Sequence, residues 1–221
     1  SNDEARKMYV EAFGHMLNYN HEQAIACFTK CAELDENCAM AWWGIAYCLS
    51  SSYNWSAGLG PGYDAISQAV ALKDHCSELE QDLIMALSKR HTKEARDNAN
   101  PAALNMGNSP ELNQAFADAM APLYEKYKGN LDVTAIYVEA LMNLNPWTLW
   151  NKDAASGEIT PVDDSTLMLI KIMEDAFENV PGAKEHPALC HLYCHALELS
   201  PYPERALPAA DVLRTLMPGC G

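Results

Sequence analysis

The chain has 221 residues, 49% apolar and 20% charged, with 15 Lys and Arg against 30 Asp and Glu for a formal charge of −15. That field repels phosphate backbones and anionic lipid, which argues against nucleic acid and membrane as partners; it suits a basic peptide, a cationic small molecule or a metal ion, or serves solubility alone. No apolar run reaches the roughly 18 to 20 residues of a membrane-spanning helix, and Ser1 to Lys7 is polar without a signal-peptide core, so the expectation is a soluble, cytoplasmic protein.

In chain order, His21 to Trp43 places Ala24, Ile25, Phe28, Cys31 and Leu34 at spacings of three and four, one face of a helix. Asp35-Glu36-Asn37 breaks the pattern and Cys38 to Ser50 restarts it, giving helix, tight turn, helix. A shift of 34 residues superposes Met8 on Trp42, Tyr9 on Trp43, Ala12 on Ala46 and Phe13 on Tyr47, so small residues recur where helices approach closely. This period and the run Glu22 to Ala46 resemble the tetratricopeptide repeat, with Ala24, Phe28, Cys31, Trp42 and Ala46 at its signature places. Glu36 stands where proline is usual, which leaves the helix break to Asp35 and Asn37.

Further helices are predicted at 63–73, 77–93, 110–127, 131–145 and 163–179, set off by Gly60-Pro61-Gly62, Asn100-Pro101, Ser109-Pro110, Gly129-Asn130 and Asn145-Pro146. The connections Ser51 to Tyr63, Thr92 to Ser109 and Pro146 to Pro161 are long for a compact array. The first and third carry Tyr53, Trp55, Trp147 and Trp150, so they are expected to fold back onto it. A shift of 182 then maps Ala24 to Ala206, Ile25 to Leu207, Phe28 to Ala210, Cys31 to Leu213, Leu34 to Leu216 and Glu36 to Pro218, which puts the last hairpin in register with the first.

The resemblance implies an all-α, right-handed superhelical solenoid of about five helical hairpins, or about ten helices, forming a single domain over 1–221. Nearly the whole chain also looks like a bacterial-type family of tetratricopeptide proteins, through the blocks Cys38 to Gly44, Glu139 to Leu141 with Pro146 to Trp150, and His186-Pro187 with Pro208 to Asp211. Members continue into a further His-rich segment, so a chain truncated at its C-terminus is expected.

The most specific constellation is Cys190 to Glu198. On a helix His191, His195 and Glu198 fall at i, i+4 and i+7, and two imidazoles with a carboxylate on one face can bind a divalent transition metal ion. The alternative is a set of polar residues that hydrogen-bond neighbouring helices or contact a peptide. The shifts place these three where Tyr9, Phe13 and Met16, and Trp43, Tyr47 and Ser50, stand earlier. The resemblance implies that such positions line the concave groove, which makes Tyr9, Phe13, Trp43 and Tyr47 candidate ligand contacts.

Glu139, inside an apolar helix, reads as a structural hydrogen-bonding group or as a ligand or acid/base across the groove from His195. For Trp43 and Tyr47 both groove and core remain open, whereas Trp42 reads as core. Cys27, Cys31, Cys38, Cys48, Cys190 and Cys194 fall on apolar helical patterns and read as reduced thiols, with Cys190 and Cys194 packing rather than ligating. His21 reads as part of a helix start, and His75 and His91 as exposed helix-end residues.

There is no glycine-rich phosphate loop, no G-x-S-x-G elbow and no paired CxxC, and His191 is not followed by the Glu of metalloprotease helices. Two functions follow: a scaffold whose groove takes a peptide, protein segment or small molecule, and a metal-binding protein or metal-dependent enzyme using His191, His195 and Glu198.

Overall fold

A computed structural model describes residues 3–54, 61–98 and 109–216. It is mainly helical, as the periodicity predicts. The elements are α1 (Asp3–Leu17), α2 (His21–Leu34), α3 (Ala39–Cys48), α4 (Pro61–Leu72), α5 (Glu78–Leu87), α6 (Lys93–Asp97), α7 (Pro110–Lys126), α8 (Leu131–Met142), β1 (Trp150–Lys152), β2 (Ile159–Pro161), α9 (Asp164–Asn179), α10 (Pro187–Leu197) and α11 (Leu207–Leu216). Where the repeat register reads one array, the contacts divide the chain into two compact units, Ser1–Leu123 and Tyr124–Gly221. Among the described residues no helix is long and apolar enough to cross a membrane.

In the first unit each of the first four helices packs on the next, and α3 also meets α1 and α5. The α2–α3 turn is made as the sequence requires: the Asp35 carboxylate accepts from the Asn37 amide at 3.2 Å, and the Cys38 amide donates to the Asp35 carbonyl. Phe28, fully buried, lies flat against Gly44, where a Cβ would stand 2.4 Å from the ring. Ala12 and Ala24, also fully buried, let α1 and α2 close together. Burying a side chain such as Phe28 stabilises by about 1.5–3 kcal/mol, and Gly44 is what makes that burial possible.

The predicted helix over 77–93 ends early. It starts with a capping box, Ser77 Oγ accepting from the Glu80 amide and the Glu80 carboxylate accepting from the Ser77 amide. Ser88 to His91 then turn, and Thr92 caps the short α6 by accepting from the Ala95 amide at 3.1 Å. The connection read as Thr92 to Ser109 therefore opens with a helical turn.

His91 is half-buried rather than exposed. Its imidazole Nε2 lies 2.7 Å from Ser50 Oγ, and the ring sits where a side chain at Gly62 would be.

In the second unit α8 is buried from Val133 to Met142 because α9 and α10 both pack on it, and α10 also packs on α11. Its start is fixed by Asn130, whose side chain accepts from the Val133 amide at 3.0 Å. The Pro146 to Pro161 connection contains a short antiparallel hairpin, Trp150 opposite Pro161 and Lys152 opposite Ile159, which periodicity did not predict. Asp153 closes its turn, accepting from the Ala155 and Ser156 amides and the Ser156 hydroxyl.

Candidate functional site

The His-containing helix α10 is positioned by its first residues. Pro187 occupies the first turn, and His186 precedes it as the cap, its Nδ1 accepting from the Leu189 amide at 3.3 Å. The ring proton therefore sits on Nε2, which donates to the Asp132 carboxylate on α8 at 3.1 Å. One buried imidazole thus ties the starts of two helices. The sequence pairs His186 only with Pro187, and nothing local shows the link to Asp132.

The expected return of the aromatic loop is seen here. The Trp150 indole donates to the Ala196 carbonyl at 2.7 Å, and buried Leu149 accepts from the Thr166 hydroxyl and the Val162 amide through its carbonyl. Trp147, 52% exposed and with φ of 60°, meets the His195 ring edge-on at 5.9 Å. A left-handed φ on a bulky residue costs energy, so the surrounding contacts hold it there.

His191 and His195 stand one turn apart with ring centroids at 4.7 Å and planes at 64°. Burial, reinforced by the neighbouring His195, pushes the His191 imidazole down to about 4, so it is neutral at pH 7. His195 donates from Nδ1 to Glu198 at 2.8 Å. The three predicted ligands are thus neighbours, but their donor atoms do not converge on one point. Glu198 is the C-cap residue of α10 and folds back onto His195 instead.

Among the described residues, the one set of three His, Cys, Asp or Glu donor atoms mutually within 4.8 Å is Glu11, His15 and Cys27, in the first unit.

Cys190 and Tyr193 leave α10 on the side away from the histidines, as the 3.6-residue turn requires. There they line an open cavity of about 410 Å³ with Glu174 and Phe177 of α9, Arg205 from the turn before α11, and Pro208, Ala209 and Val212 of α11. An adjoining cavity of about 360 Å³ shares Phe177, Glu178 and Lys184. The Tyr193 hydroxyl donates to Glu174 Oε1 at 2.6 Å, and Arg205 pairs with the same oxygen. Burial and that carboxylate push the Tyr193 phenol up to about 12. Cys190 donates to the Lys184 carbonyl at 3.3 Å, and burial raises its thiol to about 11, so it packs as the sequence predicts.

Sequence reading missed Glu174, Tyr193 and Arg205 as a set, because the Glu174–Arg205 pair spans 31 residues without any local pattern.

The groove candidates of the first unit are placed mostly inside. Tyr9 and Phe13 are half-buried and stacked at 5.9 Å, with Tyr9 edge-on to Phe28 at 5.7 Å. Trp43 is 1% exposed and donates its indole N–H to the Leu83 carbonyl at 3.2 Å, while Tyr47, 8% exposed, stacks on it at 5.2 Å. The exposure that the register gives Trp43 and Tyr47 is not found, because α5 covers that face of α3. Trp42, read as core, is the half-buried one of the pair. Glu139 is buried at 5% within α8. Tyr53 is buried, and Trp55 lies outside the described residues.

Comparison with known proteins finds no matching family model, no matching curated protein and no matching solved structure.

Proposed function

We propose that the chain is a tetratricopeptide-type binding scaffold, and that its second unit receives a peptide or protein segment in the trough bounded by α9, α10 and α11. The observation that carries this reading is the trough itself. Phe177, Pro208, Ala209 and Val212 give it an apolar floor, and Glu174, Tyr193 and Arg205 converge on one edge. A mostly apolar concavity with a few converging polar groups is the usual form of a recognition site. An apolar side chain fills the floor, and main-chain amides or a hydroxyl of the segment meet the polar edge.

The packing of each early helix on the next supports the helical-repeat architecture. The charge of −15 favours partners that carry basic residues beside the apolar anchor. The seven described cysteines are thiols, which suits the reducing cytoplasm.

Selection of displayed random peptides tests the proposal, run in parallel on the wild-type chain and on Val212→Trp, whose indole fills the trough. A consensus with an apolar anchor is expected on the wild type and absent from the variant. The same consensus on both proteins, or none on either, overturns it.

A further inference from the structure

We propose that Glu11, His15 and Cys27 form a binding site for a zinc-type divalent cation on the first helical hairpin, separate from the His191/His195 pair and independent of the peptide-binding reading. Glu11 and His15 are four residues apart on α1 and therefore share a face, and Cys27 comes from α2. Their donor atoms lie within 4.8 Å of one another. Donors around a tetrahedral zinc stand about 3.3–3.8 Å apart, as its ligand bonds of about 2.0–2.3 Å require. Glu11 is exposed and His15 and Cys27 are half-buried, and their side chains would have to turn to reach that spacing.

The site stands on two helices that pack on each other. Ala12 and Met16 stand next to Glu11 and His15 in the chain, and Ala24 and Phe28 lie near Cys27 on α2; all four are buried. Sites on packed helices hold their geometry better than sites on loops.

The chemistry of the donors selects the ion. A thiolate and an imidazole favour zinc or a similar borderline-soft metal over magnesium or calcium, and the carboxylate supplies a third, harder ligand. Three protein ligands leave one tetrahedral position for water or another ligand. Burial and the facing Glu11 carboxylate raise the Cys27 thiol, so in the absence of a cation it stays protonated. A bound divalent cation reverses that balance: the sulfur binds as thiolate, and its proton is released to solvent. No electron is transferred, and the step balances as one proton out for each thiolate formed.

Cobalt(II) titration of the reduced, chelator-treated full chain tests the site, with zinc competition as the second arm. The expected result is one equivalent of cobalt(II) bound with a thiolate-to-cobalt charge-transfer band and the strong visible bands of tetrahedral coordination, both erased by zinc. Cys27→Ser removes the charge-transfer band while the circular dichroism is retained, and Glu11→Gln and His15→Ala each weaken binding by about tenfold or more. Absence of a thiolate band in the wild type, or a band that survives in Cys27→Ser, overturns the proposal. The second outcome assigns the metal to other cysteines, such as the Cys31 and Cys38 sulfurs that lie 3.8 Å apart. Neither outcome bears on peptide selection at the trough.

Discussion

The indole of Trp150 donates to the carbonyl of Ala196 across 46 residues of sequence, and this hydrogen bond fastens the β1–β2 hairpin to the last turn of α10. Trp150→Phe removes the indole donor together with part of the ring. The expected cost is about 0.5–1.5 kcal/mol, felt locally as looser docking of the hairpin. Limited trypsinolysis at exposed Lys152 measures it: faster cleavage is expected in the variant, and unchanged cleavage means that the bond does not hold the hairpin.

Gly44→Ala sets two effects against each other. Alanine improves helix propensity by about 1 kcal/mol. Its methyl, however, would lie 2.4 Å from the fully buried Phe28 ring, and overpacking of that kind costs about 1–3 kcal/mol. The clash is expected to win because Phe28 has no solvent side to move toward. Urea unfolding should show a net loss for Gly44→Ala, partly recovered in the double variant with Phe28→Leu. No recovery would place the strain elsewhere.

Acid should destabilise the fold through two histidines. Burial lowers both His91 and His191 from about 6.5 to about 4 in the folded chain; Arg90 reinforces the shift at His91 and His195 at His191. Between those values the unfolded chain takes up the protons and the folded chain does not, so stability rises with pH across that window. The stabilisation is fully present above about 6.5 and is lost as pH falls toward about 4. Thermal unfolding from pH 7 to pH 4 should therefore show a steeper loss in the wild type than in His91→Gln or His191→Gln. Parallel profiles would assign the acid sensitivity to carboxylates.

Thiol labelling should follow burial. Burial and the Cys38 sulfur push Cys31 up to about 12, and burial and Cys194 push Cys190 to about 11. Both are buried and donate to backbone carbonyls. Mass spectrometry after a disulfide reagent at pH 8 should find these two unmodified in the folded chain and modified in urea. Rapid reaction of either in the folded chain would contradict its packed environment.

Helix positions were largely legible in the sequence, since Ser77, Asn130 and Asp163, whose carboxylate accepts from the Ser165 amide, cap helices where apolar periodicity begins. Periodicity shows which residues share a face but not what covers that face, which left Trp43 open between groove and core and put the half-buried Trp42 in the core. The carbonyl that receives the Trp43 indole belongs to Leu83, 40 residues away. Glu11, His15 and Cys27 went unread as a group for the same reason: their convergence depends on how α1 meets α2. The His191, His195 and Glu198 spacing did predict neighbours. It could not show that Glu198 turns back to His195 at the end of α10.

The proposed function assigns ligand recognition to the trough rather than to the His-bearing side of α10. Calorimetric titration of one selected peptide into the wild type, Val212→Trp and His195→Ala decides it. Val212→Trp is expected to weaken binding by about tenfold or more, about 1.4 kcal/mol, while His195→Ala leaves it unchanged. Full affinity in Val212→Trp together with lost affinity in His195→Ala would contradict it and place the ligand beside Trp147 and His195.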